Sequence, residues 1–385
     1  MFETLKNVFR VKEMRRKLLY LIWMIFIIRI GCQIPVPGVD SSFFKQWFSS
    51  NAGDAFNFFD AFTGGSFERM SIFALNITPY ITSSIIIQLL TIAIPALEEM
   101  QRDGEEGRKK MTAITRYVTV GLALFESVAM AIGFGRQGMI PDLNFFKGVV
   151  VVACLTAGSA MLMWLGERIT EKGVGNGISI VLTVNIISRM PSDLSLLYEN
   201  FIKGKTIAKG TLAGLIIAAV ILVVVVLVLI LNGAERRIPV QYSRKIQGGS
   251  QLGGLGSTLP VKVNTANVMP IIFSSSLLQF PLVIKQLIGA DPKGAAGFIF
   301  NALNQSNWCN PDHWNWSIGL IVYLVLNVIF AYFYTSITFN PLEISNNMKK
   351  QGGYIPGIRP GKATVDYLNS ILTYIIFIGA VGLCI

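Results

Sequence analysis

Thr211 to Leu231 runs for 21 residues without a charged side chain. A helix of about 20 apolar residues covers the ~30 Å hydrocarbon core of a bilayer, and a helix satisfies its own backbone there. That stretch excludes an ordinary soluble domain. Comparable apolar runs recur near 18–35, 70–96, 113–134, 148–166, 176–190, 268–289, 316–339 and 367–385, and 52% of all residues are apolar against 14% charged. The expected fold class is all-α, a polytopic membrane protein of nine visible segments.

Lysine and arginine orient it. With the N-terminus in the cytoplasm, 22 of the 33 basic residues fall in inner loops, 10 in outer loops, and Arg29 lies within the first segment. The positive-inside rule therefore places the N-terminus in the cytoplasm. The net charge of +11 mostly reflects this bias. The first segment follows Arg15-Arg16-Lys17 and runs into Ile34-Pro35-Val36-Pro37 without a small-residue cleavage site, so it is expected to stay as an anchor. Residues 1–17 put Phe2, Leu5 and Phe9 on one face, which suits an interfacial helix or equally a frayed basic tail.

One segment is interrupted. Met70–Leu75 and Ile81–Leu90 flank Asn76 and Pro79 where a continuous helix should run. Proline removes an amide donor and clashes with the preceding turn, and irregular backbone at membrane depth survives only beside protein or water. The segment is therefore expected to border a cavity. The pattern returns 191 positions later: residues 76–88, NITPYITSSIIIQ, align without gaps on 267–279, NVMPIIFSSSLLQ, with six of thirteen identical. The orientation makes the two copies antiparallel. That arrangement points to inverted repeats of five helices around a central pathway, a first half at 18–190 and a second at 211–385. A tenth helix is expected and not seen, because the chain stops at Ile385 inside an apolar run; truncation is the expected reason.

Enzyme motifs are missing. The single histidine, His313, excludes an HExxH metalloprotease, and neither GxGxxG nor GxxxxGK[ST] occurs. Cys32, Cys154, Cys309 and Cys384 are scattered without a CxxC. No metal, cofactor or catalytic residue is expected.

Other residues invite function. The first outer loop, 36–69, carries nine aromatics and should pack back toward the cavity mouth. Its end, Gly64-Gly65-Ser66-Phe67-Glu68-Arg69-Met70-Ser71-Ile72-Phe73-Ala74, suits a short helix on a glycine hinge, either a stopper or an ordinary interfacial helix. Ile77, Ile81 and Ile85 lie four apart, Ile272 matches Ile81, and Ile178 and Leu182 repeat the spacing. Such a stripe is either core packing or an aliphatic constriction that stops ions by dewetting. Arg29, Glu126, Gln88 and Gln279 put charge or amide inside the bilayer, which is costly unless paired. Thr82, Ser83, Ser84, Ser274, Ser275 and Ser276 would give two helices a small-residue seam able to pack and part. Two long basic loops carry Arg236, Arg237, Arg244 and Lys245, and Lys349, Lys350 and Arg359; proline and glycine stiffen the tip at Arg359. They read as a docking surface for a large cytoplasmic partner, or as topogenic charge alone.

These strings together resemble the SecY family, central subunits of the bacterial protein-conducting channel: IPVPGVD at 34–40, GGSFERMSIFAL, PYITSSIIIQLL, GEEGRKKMTAITRY, MWLGERITEKGVGNGISI, ERRIPVQY, LPVKVN and FNPLEISNNMKKQGGYIPGIRPG. The resemblance implies two five-helix halves around an hourglass pore, in the bacterial plasma membrane. It implies a plug from about Gly64 to Leu75 and a pore ring including Ile77, Ile81, Ile178, Leu182 and Ile272. It further implies a lateral gate with Thr82, Ile85, Gln88, Glu126, Ser275 and Gln279 as members. Implied partners are SecE and SecG, the SecA motor or a ribosome at the basic loops, and signal peptides and nascent polypeptides. A secondary transporter built from inverted repeats is the alternative; it needs a midplane small-molecule site, and few intramembrane charges are present to form one.

Overall fold

A computed structural model describes residues 10–40, 44, 60, 62–136, 138, 140, 144–203, 207–242, 257–288, 294–304, 307–308 and 314–384. Each of the nine predicted segments holds a helix: α1 Lys12–Gly31, α2 Thr78–Ala93, α4 Gly104–Arg136, α5 Phe145–Lys172, α6 Gly177–Phe201, α7 Ile207–Gly233, α8 Met269–Ile288, α10 Ile318–Thr338 and α12 Lys362–Cys384. Among the described residues three shorter α-helices, α3 Pro95–Arg102, α9 Ala295–Leu303 and α11 Pro341–Lys350, lie between them. Among the described residues six helices are long and apolar enough to cross a bilayer individually. At 33 residues α4 is about 50 Å long, so its charged first turns, with Glu105, Glu106, Arg108, Lys109 and Lys110, extend past the hydrocarbon core. Exposure follows the same logic: Leu215, Leu222, Leu229 and Ile230 of α7 are all more than 60% exposed, as a lipid-facing helix requires.

The chain divides into two compact units, residues 1–200 with 278–319, and 201–277 with 320–385. The first unit has two apolar cores. In one, Val36, Phe44, Phe67, Met70, Ala74 and Leu75 pack on Ala123, Met130 and Phe134 of α4 and Val151 and Leu155 of α5. Phe44, Phe67 and Phe134 meet as a cluster of rings, Phe44 standing edge-on to Phe134 at 5.0 Å. In the other core, Phe73 and Ile77 join Ile28 of α1, Leu162, Leu165 and Ile169 of α5, and Val181 of α6. Aromatics of the first outer loop do pack inward where described; the others lie outside the described residues.

The second unit holds an element that the all-α expectation lacked. Strand β1, Glu235–Tyr242, pairs antiparallel with β2, Ser257–Lys262, in the register Ile238↔Leu259 and Val240↔Ser257. On its other side β1 pairs with the two-residue β3, Gly353–Tyr354. Ile238, Val240 and Val261 point into the core with Met348, Ile355 and Leu372, while Arg237, Pro239 and Gln241 are exposed on the other face. This is the period of two that a half-buried strand requires. Pro239 is tolerated because β3 meets only Gln241 and Tyr242, leaving β1 an edge at the proline.

Candidate functional site

The stretch from Gly64 to Ile77 is a succession of turns, which corrects the expected short helix. Gly64 and Gly65 take φ +67° and +79°, and Met70 and Asn76 take +44° and +52°. Left-handed residues stop a right-handed helix from propagating. The amides close four-residue turns instead: Met70 N donates to Phe67 O, Ala74 N to Ser71 O and Asn76 N to Phe73 O, each at 2.9 Å. An extended contact clamps the middle, Val36 N to Met70 O at 2.9 Å and Ile72 N to Ile34 O at 3.0 Å. Its apolar residues point to two sides, because the segment lies between the two cores of its unit.

The prolines open their helices rather than interrupt them. Pro79 is the second residue of α2 and Pro270 the second residue of α8, where the missing amide is one of the orphans of a helix start. The preceding asparagines match too, Asn76 at φ +52° and Asn267 at +53°. A glycine on a later helix meets each turn. A Cβ on Gly158 of α5 would stand 2.0 Å from Ile72 O, four residues before Asn76; a Cβ on Gly379 of α12 would stand 2.4 Å from Val263 O, four before Asn267. The sequence repeat is thus a repeat of backbone shape and of packing partner.

Polar bonds converge on the first copy. The Asn76 side chain donates to Phe62 O at 2.7 Å and accepts from Asn185 Nδ2 at 3.0 Å, and Ser159 Oγ donates to the Asn76 carbonyl at 3.2 Å. Arg29 donates to Asn185 Oδ1 at 3.3 Å, so the intramembrane arginine is tied into this group. Asn76, Asn185 and Ser159 are each 1% exposed. Asp60, wholly buried, pairs with Arg189 of α6 and accepts from Glu68 N at 2.9 Å. Arg69 donates to Gln33. Asn185, Ser159, Asp60 and Arg189 escaped the sequence reading. For Asn185 the signal was there, an amide inside the apolar run VLTVNII.

Of the ring candidates, Ile77 is fully buried in the second core, Ile81 and Ile178 pack at its edge, and Leu182 is half-buried one turn along α6. Ile272 is half-buried in the other unit. Among the gate candidates, Ile85 is buried, while Thr82, Gln88 and Glu126 are half-buried. Helices α2 and α4 are tied by Ser83 Oγ donating to Thr115 O at 2.8 Å. Gln88 Nε2 reaches Ser84 at 3.5 Å, but its Oε1 and the buried Ser275 Oγ have no hydrogen-bond partner among the described residues. In the second unit Phe273 of α8 stands edge-on to Phe330 and Tyr334 of α10 at 5.7 and 6.1 Å. The side chain of Gln279 lies outside the described residues.

The small sheet joins the two basic loops. Tyr354 Oη donates to Gln241 at 3.0 Å, and Ser345 Oγ donates to Gly361 O at 3.2 Å across the second loop. Arg236, Lys349, Lys350 and Arg359 are exposed, and the exposed Arg237 pairs with Glu235 at 2.7 Å. Gly357 and Gly361 take positive φ either side of Arg359, whose carbonyl accepts from Thr364 Oγ1 at 3.0 Å, so the tip is shaped. Arg244 and Lys245 lie outside the described residues.

These features define a polytopic helical membrane protein in which a buried turn segment precedes one of two matching helix entries. The SecY family profile matches residues 71–385. Protein translocase subunit SecY of Halalkalibacterium halodurans is 41% identical over 390 residues, covering 100% of this chain and 88% of that protein. The subunit of the same name from Corynebacterium glutamicum is 38% identical, covering 98% and 86%. The chain belongs to the SecY family. Its fold is that of solved channels: a structure described as a protein conducting channel superposes with TM-score 0.67 at 18% identity, covering 96% of this chain and 84% of that one. A SecY structure described for its plug domain gives 0.64 at 19%, covering 96% and 84%. Sec61 in a canine ribosome-channel complex gives 0.61 at 18%, covering 95% and 84%.

Proposed function

We propose that this chain is the protein-conducting subunit of a bacterial plasma-membrane translocon, N-terminus in the cytoplasm, passing unfolded polypeptides across the bilayer and releasing apolar segments sideways into it. The observation that carries this reading is the Gly64–Ile77 segment, buried and non-helical, held by turns and side-chain bonds between two cores. Such a piece can leave without unravelling a transmembrane helix, which is what a plug must do. Ile77, Ile81, Ile178, Leu182 and Ile272 form the aliphatic ring, which seals against ions by dewetting while offering a moving chain nothing to bind. Two five-helix halves carry the ring, and the seam of Thr82, Ile85, Gln88, Glu126, Ser275 and Gln279 parts for a signal segment. Arg236, Arg237, Arg244, Lys245, Lys349, Lys350 and Arg359 dock the SecA motor or a ribosome, which supplies the work, and SecE and SecG complete the complex. Replacing Ile81, Ile178 and Ile272 together with glycine should raise the resting ion conductance of reconstituted vesicles severalfold; an unchanged conductance overturns the ring.

A further inference from the structure

Both ends of the plug are tied to a single face of α6, by side chains one helical turn apart. Asn185 and Arg189 are spaced by four and so lie on the same face. Asn185 donates to Asn76 at the plug's end, and Arg189 pairs with Asp60 just before its start. Between them Gly64 passes so close that a Cβ would meet Asn185 O at 2.8 Å and Ser188 Oγ at 2.9 Å.

The plug is also a closed unit. Asn76 Nδ2 reaches back to Phe62 O, Ser66 Oγ donates to Thr63 O at 2.8 Å and lies 3.1 Å from Phe73 O, and Asp60 receives Glu68 N. Polar links within the loop and polar links to α6 have different consequences. The first let it move as one body; the second decide when it moves. Arg29 on α1 holds Asn185 Oδ1, leaving Nδ2 to face Asn76.

We propose that the α6 face presenting Asn185 and Arg189 is the latch of the plug, and that these two are positioning residues setting how often the channel opens at rest. The inference rests on the plug reading above. Asn185 is 1% exposed and the Arg189 side chain 14%, so neither bond competes freely with water while the plug is seated.

The test is the resting ion conductance of the reconstituted channel complex. Asn185→Asp keeps size and shape and still accepts from Arg29, but can no longer donate to Asn76. Arg189→Gln removes the charge facing Asp60, and Arg189→Lys restores it. Losing one buried bond should raise the open population about tenfold. Asn185→Asp and Arg189→Gln should therefore leak, Arg189→Lys should seal, and in a chain lacking residues 64–75 neither leaky variant should add to the conductance of the deletion. If the deletion leaks while Asn185→Asp and Arg189→Gln stay sealed, the latch is overturned and the plug stands. Further leakage from either variant in the deleted chain, or an Arg189→Lys as leaky as Arg189→Gln, also overturns the latch. A silent deletion overturns the plug reading and the latch with it.

Discussion

Asn76 and Asn267 share a backbone and little else. Each takes the left-handed conformation, each precedes a helix with proline second, and each follows a carbonyl pressed against a glycine. Asn76 is buried and has both ends of its amide bonded, whereas Asn267 is exposed and its side chain has no partner among the described residues. What precedes them differs as well. The Asn76 turn ends a loop held by side chains; the Asn267 turn follows β2, fixed by a strand ladder and by Val263 N donating to Ala234 O at 2.9 Å. The helix entry needs only asparagine, proline and a facing glycine. The polar bonds are added in the copy whose preceding segment is the proposed plug.

The largest contrast should come from removing the asparagines. Asn76→Ala orphans the buried Asn185 Nδ2, at about 1–3 kcal/mol, and removes the bond to Phe62 O, worth about 0.5–1.5 kcal/mol. It also places alanine in a left-handed conformation at about 1–2 kcal/mol, for a total of several kcal/mol. Asn267→Ala carries only the backbone cost, about 1–2 kcal/mol. Thermal unfolding of the purified proteins should show a Tm drop about three times as large at position 76, by roughly the ratio of those costs. Equal drops break the comparison.

Much of this was legible before the structure, for physical reasons. Among the described residues the apolar runs give nine helices because a helix satisfies its own backbone in lipid. The repeat was legible because Asn, Pro, Ser and Gln interrupt apolar sequence at the same spacing twice. The state of Gly64–Ala74 was not. The sequence suits a short helix on a glycine hinge, but its apolar residues serve two cores, and Met70 at φ +44° is a tertiary demand no propensity reveals. The hydrogen bond between Asn185 and Asn76 was hidden because they are 109 positions apart and nothing local couples them. The hairpin was written in the alternation of Arg237, Ile238, Pro239 and Val240, obscured by the proline and by the charges that drew attention to docking.

A middle-sized effect should separate the two copies by kind rather than by amount. Gly158→Ala and Gly379→Ala both drive a methyl into a backbone carbonyl, at 2.0 and 2.4 Å, and overpacking of this sort costs about 1–3 kcal/mol. At Gly158 the obstructed carbonyl belongs to the proposed plug, which on that reading can yield by leaving. Gly158→Ala is therefore expected to raise resting conductance with a small loss of Tm. At Gly379 the carbonyl of Val263 is continuous with β2, so Gly379→Ala should lower Tm and leave conductance near its resting value. A leak from both, or from neither, removes the distinction between a held segment and a fixed one.

The smallest effect isolates the added polar bonds one at a time. Ser159, next to Gly158, donates to the Asn76 carbonyl, and Ala380 occupies the corresponding place next to Gly379. Ser159→Ala removes one buried hydrogen bond, about 0.5–1.5 kcal/mol. Its effect should depend on the amide of Asn76, because both bonds hold the same residue. In a double-mutant cycle with Asn185→Asp, measured by Tm, the two substitutions should couple by at least about 0.5 kcal/mol. Ala380→Ser gives the converse. A hydroxyl there can return its proton to its own helix four residues back, and the second turn is already fixed by its strand, so the change should stay within about 0.5 kcal/mol. Strong stabilisation by Ala380→Ser would mean that the second turn lacks only a donor, and that holding by side chain against holding by ladder is not what distinguishes the copies.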